Sequence, residues 1–176
     1  MNTAAVGVSN AILRASASDT GTPVQEAIPK WTSVAISNTK VVSNKKWYYV
    51  GMQIDTNRYF GYLKEEQVVS LCRNAATGTT NGQTKLYSTM SASGTSVGTI
   101  DPQKTIRLRG TATDASGKKW YVVRRNKDFL YVQASDITPV KAPVIERIKS
   151  TSLKNGVGGL SIPMMMQTAF PAFPRR

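Results

Sequence analysis

The chain has 176 residues and a formal net charge of +13, with 40% hydrophobic residues, one cysteine and no histidine. A single cysteine excludes an internal disulfide, and the lack of histidine excludes Ser-His-Asp and Cys-His catalytic groups as well as zinc sites built on histidine. The sequence therefore predicts a non-enzymatic protein with no catalytic residues, no metal site and no cofactor.

Positive charge is concentrated in the later parts of the chain. Residues 1–70 carry seven basic and five acidic side chains, residues 71–140 carry ten and four, and residues 141–176 carry six and one. Such a surface favours acidic partners: nucleic acid, acidic proteins or anionic polymers.

Residues 1–9 form a predicted N-terminal segment. The first residues, MNTAAVGVSNAILRASASD, lack the basic start and long apolar centre of a secretory signal. No uncharged stretch is apolar enough to predict a membrane span, because a spanning helix needs roughly 20 mostly apolar residues. We therefore expect a protein made and kept in a cytoplasm, or released by assembly or lysis, with no membrane partner.

A nearly identical hexapeptide occurs twice in the next part of the chain. KKWYYV stands at residues 45–50 and KKWYVV at 118–123, and a leucine lies 34 positions before the tryptophan in both copies. The runs around them are rich in Trp, Tyr, Val, Ile and Thr and are separated by Gly, Asn, Asp, Ser and Pro, which is typical of short strands. The repeat predicts an all-β chain with two duplicated units, at residues 10–70 and 85–140, joined by a turn-rich linker at 71–84.

Side chains along a strand alternate between the two faces of its sheet. We expect Trp47 and Trp120 to lie in the cores of the two units, because a buried tryptophan stabilises a small domain strongly. Tyr48 and Tyr121 follow them in the chain and should therefore lie on the opposite face. They are the predicted partner-binding aromatic residues, and the alternative is that they merely cover loops.

Basic residues cluster around the second hexapeptide. One interpretation is a strip that contacts an anionic partner; the alternative is a solvated face that keeps edge strands from pairing with other chains. The candidate contacts are Arg107, Arg109, Lys118, Lys119, Arg124 and Arg125.

An ordered set of motifs resembles the bacterial SH3-like (SH3b) domain. The first unit carries ILRASAS, SVAI, KKWYYV and FGYLKEEQVV, and the second carries KLYSTMS, TIRL, KKWYVV and FLYVQASDI. This resemblance implies two small SH3-like β-barrels in tandem, each presenting a surface for ligands.

The last stretch, residues 141–176, is predicted to be an extended arm. Pro163, Pro171 and Pro174 prevent a helix through its end and favour an extended chain. The apolar residues of the arm are predicted to bind another protein, although packing on its own barrels is the alternative. They are Met164, Met165, Met166, Phe170 and Phe173.

Three functions remain open at this point. Small basic proteins with tandem SH3-like barrels and an apolar arm resemble structural components of bacteriophage particles, which implies a virion protein of the tail, baseplate, neck or shell that docks on neighbouring subunits. The first alternative is a module that binds peptidoglycan or another cell-wall polymer. The second alternative is a nucleic-acid-binding protein that uses the basic second unit.

Overall fold

The computed structural model describes residues 2–145, which form an all-β structure, and the prediction of this fold class is confirmed. The first half, residues 2–71, contains β1 (Asn2–Val6), β2 (Ala11–Arg14), β3 (Pro23–Ile28), β4 (Ser33–Val42), β5 (Lys45–Ile54), β6 (Asn57–Lys64) and β7 (Val68–Leu71). The second half, residues 77–141, contains β8 (Thr77–Thr80), β9 (Thr84–Tyr87), β10 (Ser96–Ile100), β11 (Thr105–Arg107), β12 (Gly110–Thr113), β13 (Lys119–Arg125), β14 (Asp128–Gln133) and β15 (Ile137–Lys141). A single 3-10 turn precedes the last strand of each half, at Glu65–Gln67 and at Ala134–Asp136.

The strands of the two halves pair in the same order. In the first half, neighbouring strands follow the order β3-β2-β6-β5-β4-β1-β7. In the second half, one sheet has the strand order β10-β9-β14-β13-β12, and a separate sheet has the order β11-β8-β15. The two strands β11 and β12 together therefore correspond to β4 of the first half. The described strands form open antiparallel sheets, and the two closed SH3-like barrels stay a prediction.

The long strand β4 has a broken counterpart in the second half. Leu108 and Arg109 separate β11 from β12, and each fragment pairs with a different sheet. The break leaves one edge of β12 available, and β7 of the first half pairs with it through Leu71 opposite Gly110 and Ser70 opposite Thr111. The two halves are thereby joined in one twelve-stranded sheet.

Aromatic side chains also hold the two halves together. Trp31, between β3 and β4, stacks on Tyr131 of β14 with ring centroids 5.8 Å apart and contacts Phe129 at 5.1 Å. The hydroxyl of the buried Tyr131 donates a hydrogen bond to the carbonyl oxygen of Gly7. Val69 of β7 belongs to the same apolar cluster as Tyr131. The core of the second half is therefore completed by residues of the first half.

Both predicted core tryptophans are buried, Trp47 with 2% and Trp120 with 1% of its surface exposed. Their surroundings differ. Trp120 packs edge-on against Tyr131 at a centroid distance of 6.5 Å. Trp47 lies on the opposite face of β5 from Val50, which belongs to the main first-half core, and the ammonium group of Lys64 lies 5.7 Å from the Trp47 ring centroid.

Two short strands lie where the sequence predicted only connecting chain. The predicted N-terminal segment, 1–9, contains β1, which pairs with both β4 and β7. The predicted linker, 71–84, contains β8, in which the hydroxyl of the buried Thr80 donates to the carbonyl of Asp101 at 2.7 Å. The two strands, NTAAV and TGTT, contain β-branched Thr and Val, but neither has an aromatic residue or an alternation of apolar and polar side chains. The division into barrels at 10–70 and 85–140 stays a prediction.

The start of the predicted C-terminal arm runs beside the segment that follows β7. Cys72 forms an isolated bridge with Ile145, and the Asn74 side chain bonds to the backbone of Ala142 and Val144. The predicted partner-binding residues of the arm all lie outside the described residues: Met164, Met165, Met166, Phe170 and Phe173.

Candidate functional site

A groove of about 870 Å³ lies between the two halves, and we call it the inter-half groove. Its floor includes Val68 and Ser70 of β7. One wall comes from β4 and β5 of the first half, and the other comes from β12 and β13 of the second half. The pairing of β7 with β12 creates the groove, because it places the two walls on either side of β7.

The two walls carry side chains from equivalent positions of the repeat. Tyr48 and Lys46 line the first wall, and Tyr121 and Lys119 line the second. Each pair comes from the doubled hexapeptide, at a spacing of 73 residues. Both tyrosines are half-buried, so each exposes part of its ring to the groove. The structure thus brings together the two tyrosines that the sequence singled out as partner-binding candidates.

The first wall carries an internal hydrogen-bond network. The hydroxyl of Tyr48 donates to the carboxylate of Glu65 at 3.3 Å, and the ammonium group of Lys46 lies 3.4 Å from the same carboxylate. Burial raises the pKa of Tyr48 above its usual value, and the nearby Glu65 charge acts in the same direction. The tyrosine therefore stays neutral, with its hydroxyl directed at the carboxylate.

The second wall differs at the position of that carboxylate. Ala134 opens the 3-10 turn of the second half, as Glu65 does in the first half. The Lys119 ammonium group instead donates to the hydroxyl of Thr113 at 2.8 Å. The groove is therefore asymmetric in charge: the carboxylate lies at one wall, and a lysine that forms no salt bridge with residues 2–145 lies at the other.

Hydroxyl and amide groups share the rest of the groove with apolar residues such as Ile36, Val68 and Trp120. Ser37, Asn38 and Thr39 lie on the first wall, and Thr111 and Thr113 lie on the second. Each is a small polar side chain that both donates and accepts hydrogen bonds. Ligand sites commonly measure ~300–1,000 Å³, so the groove has room for a substantial ligand with many polar groups.

A second concave site, the arginine pocket, lies within the second half. It has a volume of about 460 Å³ and is bordered by Arg107, Arg109, Arg124 and Arg125. Lys104 adds a fifth cation, and Asp101 is the one acidic residue among those lining this pocket. The apolar part of the lining is aliphatic: Leu86, Ile100, Ile106 and Val123.

Ion pairing differs between the two halves. The salt bridges found within residues 2–145 join Lys45 and Lys64 to Asp19, Lys46 to Glu65 and Lys64 to Glu66. All of these residues belong to the first half. The arginines of the arginine pocket lie within 4 Å of no carboxylate in the described part of the chain, and the positive charge of the pocket is not neutralised there.

The structure separates the six predicted anionic contacts. Arg107, Arg109, Arg124 and Arg125 border the arginine pocket, Lys119 lines the inter-half groove, and Lys118 lines neither. The Lys118 ammonium group donates to the side chain of Gln133 at 3.2 Å. The role of all six as contacts of an anionic partner stays a prediction.

Sequence reasoning did not select several residues of these two sites. Lys46 could have been found, because it belongs to the doubled hexapeptide together with Tyr48. Nothing near Ser70 or Lys104 in the sequence marks them, since each enters its site only through the pairing of distant strands.

No group of three or more His, Cys, Asp or Glu side chains that could hold a metal ion occurs among residues 2–145. The part of the chain that the structure describes also contains no helix that is long and apolar enough to cross a membrane.

Partial burial raises the pKa of the Cys72 thiol, which lowers the fraction of reactive thiolate.

Comparisons with known proteins place few limits on this chain. No protein-family model and no curated protein matches the sequence. Among solved structures, one described as a "putative autolysin from Listeria monocytogenes" matches at 15% identity with a TM-score of 0.29, over 77% of this chain. The match spans 62% of that chain. A likeness this weak carries no argument about function, and the arrangement of the two sites remains the basis for one.

Proposed function

We propose that the chain is a non-catalytic binding module for a bacterial cell-wall polymer, and that the inter-half groove holds a peptidoglycan strand. The observation that carries this proposal is the placement of Tyr48 and Tyr121 on opposite walls of one groove with both polar and apolar lining. The resemblance of the sequence motifs to bacterial SH3-like domains supports the same conclusion, since it implies a surface for ligands.

The chemistry of the groove suits a glycan that bears short peptides. A sugar ring has one face rich in C–H groups, which packs against the electron-rich face of a tyrosine ring. Its hydroxyl groups, and the amides of a peptide stem, find partners in Asn38, Ser70 and Thr111. Lys119 offers a positive charge to the carboxylate of a stem peptide.

The two walls carry equivalent residues, and this matches a ligand with a repeating structure. A polymer laid along the groove presents one repeat to Tyr48 and the next to Tyr121. Because both contacts are made on one rigid sheet, the second costs little additional entropy once the first has formed.

The test is co-sedimentation of the full chain with purified peptidoglycan. We expect the double variant Tyr48→Ala, Tyr121→Ala to bind at least about tenfold more weakly, a change of about 1.4 kcal/mol for two lost ring contacts. The matched control is Phe60→Ala, which removes a ring that is 47% exposed and does not line the groove. Undiminished binding by a correctly folded double variant would refute the proposal.

The virion assembly role first predicted from the sequence stays a prediction. It depends chiefly on the apolar arm, and Met164, Met165, Met166, Phe170 and Phe173 lie outside the described residues. Residues 2–145 carry no feature that favours it over a cell-wall ligand. The predicted virion localisation stays a prediction for the same reason.

A further inference from the structure

We propose that the arginine pocket is a second binding site, separate from the inter-half groove, and that it takes phosphate groups carried on a base-free polyol chain. This inference does not depend on what the inter-half groove binds, because the two sites share no lining residue.

The break in the strand that corresponds to β4 brings the arginines together. Arg107 ends β11, and Arg109 lies just before β12, with its backbone N–H bonded to the carbonyl of Val122 at 2.7 Å. That bond holds Arg109 beside β13, which ends at Arg124 and Arg125. Residues far apart in the chain thus surround one concavity.

Side-chain contacts are defined for two of the four arginines. The guanidinium group of Arg125, the far end of a flexible side chain, lies directly against Gly98, where the glycine has no Cβ atom. The Nε–H of Arg124 donates to the carbonyl of Asn126 at 3.2 Å, and its guanidinium group lies 5.8 Å from the ring of Phe129. Two of the four arginines therefore have defined side-chain contacts, made with residues beside the pocket lining.

The charge of the pocket calls for an anion. Four arginines and Lys104 border it, against the single acidic residue Asp101. The planar guanidinium fork matches the oxygens of a phosphate group in a two-point contact, which a lysine cannot reproduce. A ligand with several phosphates would neutralise charges that the described protein leaves unpaired.

The apolar lining distinguishes between classes of phosphate polymer. Single-stranded nucleic acids are bound by aromatic rings on which bases stack, and no aromatic residue lines this pocket. Duplex DNA is read by a protein element that enters a groove of the duplex, whereas this site is itself concave. The aliphatic side chains of Leu86, Ile106 and Val123 suit the carbon chain of a polyol phosphate instead.

The experiment is calorimetric titration of the full chain with a synthetic glycerol phosphate oligomer. In parallel, single-stranded DNA with the same number of phosphates and a polyglutamate of the same charge are titrated. We expect the glycerol phosphate oligomer to bind at least about tenfold more tightly than either competitor. Equal or tighter binding of the DNA or the polyglutamate overturns the proposal.

Variants then locate the binding. Arg107→Gln with Arg124→Gln should weaken binding of the oligomer at least about tenfold, whereas Lys118→Gln with Lys141→Gln should change it by less than about twofold. The control pair removes the same charge from exposed side chains of the second half that line neither site. An equal loss in both pairs overturns the proposal, because it would show attraction by net charge alone.

A charge-preserving pair guards against misfolding of the glutamine variants. Arg107→Lys with Arg124→Lys keeps both charges but lacks the guanidinium fork, and we expect a loss of about fivefold or more. Unchanged affinity would contradict the two-point contact. Tyr48→Ala should leave the oligomer affinity unchanged, because Tyr48 packs on the first-half core and not on the apolar cluster behind the arginine pocket. Failure of the groove proposal and failure of this one are therefore distinguishable.

Discussion

Asp114 connects the turn between β12 and β13 to the buried Trp120. One carboxylate oxygen accepts the indole N–H of Trp120 at 2.9 Å, and the other accepts the backbone N–H groups of Ser116 and Lys118. Burial acts to raise the pKa of Asp114, but the hydrogen bonds from Ser116 and Trp120 outweigh it and hold the pKa below its usual value.

We predict that Asp114→Ala lowers the free energy of unfolding by about 1–3 kcal/mol, because the indole N–H of the buried Trp120 loses its acceptor. Chemical denaturation followed by tryptophan fluorescence measures the change. Glu26→Ala is the control, since it removes a carboxylate from an exposed strand position and should have little effect. Similar losses for the two variants would contradict this role for Asp114.

The second residue-scale prediction concerns Asp19, whose carboxylate pairs with Lys45 and Lys64. The hydrogen bonds from Lys45 and Lys64 lower its pKa from 3.8 to about 2. A carboxyl group whose pKa is lower in the folded state stabilises the fold at any pH above its pKa in the unfolded state. This contribution is lost as the pH falls through the pKa of the folded state. Asp19→Asn should therefore reduce the Tm near neutral pH, and the difference from wild type should shrink as the pH falls below 3.8 and disappear only below about 2. A Tm difference independent of pH would count against the ion pair as its cause.

At the scale of elements, the turn between β3 and β4 has a role that its position in the chain does not suggest. Its Trp31 packs on Phe129 and Tyr131 of the other half, and the neighbouring Lys30 places its ammonium group 5.1 Å from the Tyr131 ring centroid. Burial lowers the pKa of Lys30 from its usual value. This turn is therefore part of the junction between the halves.

We predict that Trp31→Ala lowers the free energy of unfolding by about 2–4 kcal/mol, somewhat less than truncation of a fully buried aromatic residue, because Trp31 is half-buried. Urea denaturation provides the measurement. Val41→Ala is the control, because Val41 is 67% exposed in β4 of the same half and belongs to none of the apolar clusters. A change below about 1 kcal/mol for Trp31→Ala would show that the turn does not support the junction.

At the scale of the whole molecule, the two halves are joined because they contribute strands to one twelve-stranded sheet. β7 pairs with β1 on one side and with β12 on the other, and Val69 of β7 lies in the core of the second half. Unfolding the first half would therefore expose apolar surface of the second. Cooperative units of this kind unfold in a single transition.

We predict that residues 2–71 and 77–141 unfold together, and that Tyr131→Phe destabilises both by about 1–3 kcal/mol through the lost bond to Gly7. Hydrogen exchange resolved by residue gives the free energy of opening for each half. Tyr62→Phe, in the first half alone, is the control and should have a small effect. Separate transitions for the two halves would instead support independent units.

Much of the local structure could be predicted from residue types. The aromatic and β-branched runs around Trp47 and Trp120 indicated strands, and both tryptophans proved to be buried. The alternation of side chains along β5 and β13 also separated Tyr48 and Tyr121 from the tryptophans. The strands β1 and β8 were not predicted, because neither has an aromatic residue or an alternation of apolar and polar side chains, and each is recognised by the strands that pair with it.

The sequence by itself determined the all-β class, the doubled hexapeptide and the excess of positive charge, because strand propensity, repetition and charge are properties of residues in order. Only the tertiary structure decided that β7 pairs with β12, which sets Tyr48 opposite Tyr121 across one groove. It alone also gathered Arg107 and Arg124 at a pocket apart from Lys119. The physical reason is that pairing between distant strands depends on which strand edges are unpaired. The edge of β12 that pairs with β7 becomes available only because the folded chain separates β11 from β12.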